Sequence, residues 1–178
     1  MATWFSRKPR PDPEVRSGKA ANGLPFESVW SYPRPPEIRP EHRLVTVAFG
    51  GATIASSSRA VKVCETAGGP VVYLPAEDIV DGSLSPSGGG GSFCEWKGAA
   101  SYFDVVVEGE VVPRASWSYA TPSPDFEKIA GHFSFYPALV ECRLDGELVQ
   151  PQPGGFYGGW MTAEITGPVK GEPGTGGW

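Results

Sequence analysis

The sequence predicts a small, mostly β domain whose strands pair largely antiparallel, with short helical turns and irregular N- and C-terminal extensions. Three observations carry that prediction. From Arg43 to Val149 the chain is a succession of short apolar runs rich in Val, Phe, Tyr and Trp, separated by turn residues. The pairs Gly50-Gly51, Glu108-Gly109 and Asp145-Gly146 each lie between two such runs, where a two-residue hairpin needs positive φ. No apolar spacing of helical period is sustained for ten residues anywhere.

Taken in order, residues 1–36 form a Pro-rich arm. Seven prolines and little periodicity suit an extended chain better than a folded element. Trp4, Phe5, Phe26, Trp30 and Tyr32 sit in the arm, and so many aromatics place it against the domain or a second copy. Residues 37–150 form the domain. Its strands are read in RLVTVAF, ATIAS, RAVKVCE, PVVYLP, FCEW, SYFDVVV, EVVPRASWSY, HFSFYP, LVECRL and ELV. AEDIV after Pro75 and PDFEKIA after Ser123 each supply a helical turn, the second with Ser123 as N-cap and Pro124 at the first helical position. SPSGGGGS, residues 85–92, reads as a flexible loop. Residues 151–178 form a Gly/Trp-rich tail. Phe156, Tyr157, Trp160 and Trp178, set among glycines and two GGW triplets, predict packing on the domain or a partner in irregular conformation.

At 178 residues one domain is expected. A formal charge of -5 gives no electrostatic reason for a nucleic-acid partner. No apolar stretch has the length of a signal core or a membrane helix, so a cytoplasmic protein without membrane association is expected. Cys64, Cys94 and Cys142 are widely spaced without a CxxC pair, and His42 and His132 alone do not complete a zinc site. Reduced thiols, no metal and no cofactor follow as expectations.

Several ordered blocks carry a family resemblance. They are RAVKVCET, with Arg59 and Glu65, and VVYLPAEDI, with Pro75 and Asp78. FCEWKGAASYFDV follows, with Cys94, Trp96, Lys97, Gly98 and Tyr102, then ASWSYATPSPDFEKIAGHFSFYP, with Trp117, Tyr119, Gly131, Phe135 and Tyr136. Their order resembles the bacterial domain of unknown function 427 family, sometimes labelled a nucleotidyltransferase domain. The resemblance implies a β-tent-like fold, similar to methionine-R-sulfoxide reductases and the drug-binding domain of cereblon. Relatives of that kind hold zinc through two CxxC pairs, which this sequence lacks, so the metal is not carried over. Glu95 stands where the family usually has Pro, and Cys64 where it has Leu. The nucleotidyltransferase label is poorly supported by the residues: after Gly91-Ser92 only Glu95 offers a carboxylate, where two are needed to hold catalytic magnesium.

The strongest chemical signal is aromatic. Trp117 and Tyr119 alternate onto one strand face, and Tyr73, Trp96, Tyr102 and Tyr136 add rings with polar tips. A wall of Tyr73, Trp96, Trp117, Tyr119 and Tyr136, rimmed by Glu65 and Lys97, suits a small molecule with a planar part. Glu65 ends the row Arg59, Val61, Val63, and a desolvated carboxylate there suits a general acid or base; a simple ion pair with Arg59 or another cation is the plainer use. An enzyme reading therefore joins Glu65 to Lys97, Tyr102 or Cys94. In an extended strand Cys94 and Trp96 share one face, with Glu95 and Lys97 on the other, which makes Cys94 a packed thiol. Asp78 is read as a carboxylate bonding backbone N–H groups at a helix start. A third reading makes the aromatics all core and interface, in a structural module that pairs as a homodimer.

Overall fold

The computed structural model describes residues 7–178; Trp4 and Phe5 lie outside the described residues. The strands run β1 Glu27–Ser28, β2 Glu37–Pro40, β3 Val45–Phe49, β4 Ala52–Ser57, β5 Val61–Cys64, β6 Val71–Tyr73, β7 Leu84–Pro86 and β8 Ser92–Cys94. They continue as β9 Gly98–Val107, β10 Glu110–Ser118, β11 Phe133–Phe135, β12 Glu141–Leu144, β13 Glu147–Leu148, β14 Gln150–Pro151, β15 Trp160–Met161 and β16 Ile165–Thr166. Helical structure among the described residues is limited to 3-10 turns at Val29–Ser31, Ala76–Asp78 and Pro124–Ile129. No helix among them is long and apolar enough to cross a membrane.

Three antiparallel sheets carry the fold. One orders its strands β13-β12-β3-β4, a second β2-β5-β6, and a third β11-β10-β9-β7 with β8 also on β9. The second and third are joined where Leu74 and Phe133 exchange backbone hydrogen bonds of 2.8 and 2.9 Å. The three hairpins have the geometry their turn residues demand. Gly50-Gly51 (φ 59° and 80°), Glu108-Gly109 (49° and 82°) and Asp145-Gly146 (47° and 82°) connect β3–β4, β9–β10 and β12–β13. Asp145 adds a reason for its place, because its carboxylate accepts from the Leu44 amide at 2.7 Å.

Local expectations need correction in four places. FCEW is not one strand: β8 ends at Cys94, and Glu95, Trp96 and Lys97 turn into β9 through Gly98 at φ 96°. The supposed loop 85–92 is shorter, because Ser85 and Pro86 belong to β7 and Ser92 to β8. Ser123 precedes the 3-10 turn with Pro124 at its first position, yet its side chain makes no capping bond; its backbone carbonyl accepts from Phe126 instead. Asp78 does not cap backbone amides either. It receives Arg59 through Nε at 3.1 Å and Nη2 at 2.9 Å, which also removes Arg59 as a partner for Glu65.

The termini are woven together. β1 pairs in parallel with β16, Glu14 donates its amide to the Gly167 carbonyl at 2.8 Å, and Trp30 Nε1 donates to the Pro168 carbonyl at 2.9 Å. Val29, Tyr32, Cys64 and Ile165 form a small apolar cluster beneath this braid. Deeper still lies Trp160, 1% exposed among Val72, Leu74, Phe135 and Val149, its Nε1 donating to the Phe135 carbonyl at 3.0 Å. An indole buried with its N–H satisfied holds residues 158–161 in the main core.

Candidate functional site

Strand alternation builds the floor of a cavity of about 310 Å³. On β5, Val63 and the following Glu65 face it, while Cys64 between them turns to the terminal braid. On β10 and just past it, Trp117 and Tyr119 face it, whereas Ser116 and Ser118 point the other way and donate to the carbonyls of Ser134 and His132, both at 2.7 Å. Tyr73 at the end of β6, Tyr102 on β9 and Tyr136 after β11 complete the aromatic wall. The rings support one another. Trp117 Nε1 donates to the Tyr73 hydroxyl at 3.2 Å, Tyr73 meets Trp117 edge-on with centroids 6.3 Å apart, and Tyr136 lies 4.4 Å from Trp117. Burial pushes the Tyr73, Tyr119 and Tyr136 phenols up, so they remain neutral hydrogen-bonding groups at physiological pH.

The turn after β8 forms one side. Because the chain turns at 95–97 instead of running straight on, Cys94, Glu95, Trp96 and Lys97 all line the cavity. Lys97 Nζ stands 5.7 Å above the Tyr119 ring. Nearby, Ser92 Oγ and the Tyr102 hydroxyl share a hydrogen bond of 2.8 Å. The Arg114 guanidinium lies 4.0 Å from the centroid of the Tyr102 ring and its Nη1 donates to Gly90 O at 3.1 Å, fastening the glycine loop to β10.

The opposite side comes from the tail, and sequence reasoning did not assign it to the site. Gln152 is the organiser: its Oε1 accepts from the Gly69 amide at 2.9 Å and its Nε2 donates to the Lys170 carbonyl at 2.7 Å. Lys170 is further held by its amide, which donates to Ala67 O at 2.9 Å. Its side chain, 12% exposed, brings Nζ to 3.9 Å from Glu65 Oε1 and 5.0 Å from the Tyr157 ring. Burial lowers the Lys170 pKa, with Glu65 opposing the shift. Arg34 reaches the same carboxylate from the arm, Nε to Oε1 at 4.0 Å. Glu65 thus lies between two cations, 28% exposed. Gly158 and Gly159 are required by close approach: a Cβ on Gly158 would run into the Trp117 indole, and one on Gly159 would meet Gln152. The GGW triplet at 158–160 was the available signal, two residues without side chains followed by a core anchor.

Glu65, Lys97, Cys94 and Tyr102 line one cavity together with Tyr73, Trp96, Trp117, Tyr119 and Tyr136, whereas Arg59 and Asp78 pair with each other outside it. Phe93 and Phe156, 78% and 74% exposed, also line the cavity. Such a cavity can receive a flat group against rings and offer hydrogen bonds and charges at one end. A family model described as a domain of unknown function (DUF427) matches residues 37–149. No curated protein matches the chain.

Proposed function

The chain belongs to the domain of unknown function 427 family, and since that description assigns no activity, we propose from the cavity itself that the domain recognises a small molecule with a planar part. The observation carrying this reading is the convergence of Tyr73, Trp96, Trp117, Tyr119 and Tyr136 on one concave space of about 310 Å³. That volume is at the small end of ligand pockets, and a largely apolar wall with a few placed polar groups is their usual composition. The mutual support of Trp117, Tyr73 and Tyr136 keeps the wall shaped before a ligand arrives, which reduces the ordering cost of binding.

A second reading is favoured by one feature, the half-buried Glu65 carboxylate facing the cavity with Lys97, Tyr102 and Cys94 on the same lining. It makes the domain an enzyme with Glu65 as general acid or base. Native mass spectrometry of the freshly purified chain, compared with its denatured mass, tests the first reading: retained excess mass released on denaturation supports it. Saturable thermal stabilisation by the released compound that survives Glu65→Gln supports recognition alone. Turnover of that compound lost in Glu65→Gln supports the enzyme. A bare mass together with no stabilisation across a library of flat small molecules refutes both.

A further inference from the structure

We infer that the cavity selects planar molecules carrying a negative charge, with the anionic group seated between Lys97 and Lys170; this rests on the recognition reading above. The first argument is the sign of the charges. Lys97 has no carboxylate within salt-bridge distance among the described residues, and it stands over Tyr119 with its ammonium directed at the cavity lining. Lys170 Nζ donates no hydrogen bond among the described residues, although the side chain is largely buried. The Glu65 carboxylate is shared between Lys170 and Arg34, and the other lining carboxylate, Glu95, is exposed. The lining thus carries two lysines and two carboxylates, and since Glu65 is already shared with Arg34 from outside the lining, Lys97 is left without an ion-pair partner among the described residues. An added carboxylate or phosphate would give the two lysines the acceptors they lack.

The second argument concerns the aromatic faces. Rings of this kind also attract cationic ligands. Here three rings of the lining already carry the protein's own cations: Lys97 over Tyr119, Lys170 over Tyr157 and Arg114 over Tyr102, at 5.7, 5.0 and 4.0 Å. A ligand cation would displace them or be repelled by them. A neutral or anionic ring meets no such conflict, and Trp117 and Tyr136 remain to pack against it.

The third argument is position. Lys97 comes from the turn after β8 and Lys170 from the tail, both line the cavity, and each is fixed by its backbone. The Lys97 carbonyl accepts from the Ser123 amide at 3.0 Å, and the Lys170 backbone is held by Ala67 and Gln152. Two ammonium groups brought from separate segments to one cavity form a receptor for a charge, where a lone surface lysine would not.

The test uses three probes of one shape: indole-3-acetate, indole-3-acetamide and tryptamine, titrated into the full chain by calorimetry and tryptophan fluorescence, with benzoate and 2-naphthoate and their amides as size variants. The acids are expected to bind roughly tenfold tighter than the amides, the worth of a charge-assisted hydrogen bond, and tryptamine weakest. Lys97→Met and Lys170→Met are each expected to remove most of the acid preference, read as the ratio of acid to amide affinity within the same variant. Lys97 lies on a surface turn, so its variant keeps the test valid if Lys170→Met fails to fold. Saturable binding in which the amides match the acids, or tryptamine leads, overturns the charge assignment and leaves the recognition reading standing. Binding of none of these flat probes overturns both.

Discussion

Gly158→Ala is the sharpest available perturbation of the site's architecture. The alanine Cβ would lie 2.8 Å from Trp117 Cζ2 and 3.2 Å from Cζ3, with Cη2 nearer still. Real Cβ atoms do not tolerate such separations, so either the indole or residues 156–159 must move. The indole is restrained by its bond to the Tyr73 hydroxyl and by Tyr136, and the tail by Trp160 in the core. Overpacking at a restrained site costs about 1–3 kcal/mol. For a chain of this size that corresponds to a fall in Tm of roughly 2–12 °C. Gly158 does not have a positive φ, so the loss reports contact and not backbone strain. Differential scanning calorimetry of wild type and variant measures it. Gly88→Ala, with open space around it, serves as a control expected within about 0.5 kcal/mol of wild type. In a Trp117→Phe background, where the outer ring is gone, Gly158→Ala should be milder by about 0.5–3 kcal/mol. An unchanged Tm in Gly158→Ala would refute the seating of the tail on Trp117, and with it the closed side of the cavity.

Three further outcomes follow from the rest of the molecule. Trp160→Ala should cost about 3–5 kcal/mol by urea denaturation, as a core residue does, even though it lies in a Gly/Pro-rich segment. Glu41 and Glu164 are buried around Arg43, which bonds both at 2.9 Å; burial alone would raise their carboxyl pKa values, yet hydrogen bonds and cations hold both below the ordinary 4.5. Their contribution is complete above that value and is lost as pH falls through and below it, so Tm should drop steeply under about pH 4.5, and Glu164→Gln should be less stable at pH 7 with a shallower acid limb. Thiol labelling of the native chain at pH 8 should modify Cys94 first, because Cys142 is fully buried and burial pushes the Cys64 thiol up to about 11; equal rates at all three would contradict the burial pattern.

Sequence pattern revealed most where one residue type has few conformations open to it. Gly50-Gly51, Glu108-Gly109 and Asp145-Gly146 marked their hairpins because positive φ at consecutive positions excludes most residues. The wall of Trp117 and Tyr119 was legible because strand alternation fixes which side chains share a face. The same rule misled at Cys94–Lys97, where Gly98 at φ 96° reverses the chain and alternation no longer applies. Lys170 and Gln152 were invisible to local pattern. Their places depend on Trp160 and on backbone bonds to Ala67 and Gly69, contacts between segments about a hundred residues apart that no spacing within either segment records.

The tail wall bears on how the protein is made. During vectorial synthesis the strands through β13 leave the ribosome before Trp160, and Lys170 emerges later still. At roughly 5–20 residues per second the nascent sheets spend about 0.6–2.4 s after β13 without the indole that fills their centre. In that interval the hollow that Trp160 fills is open to any apolar segment nearby, and the cavity lacks the lining that the tail supplies. Completion of the cavity is consequently a late event in biogenesis, and pausing or premature release near residue 155 would leave a chain with nearly all of its strands and an unfinished cavity.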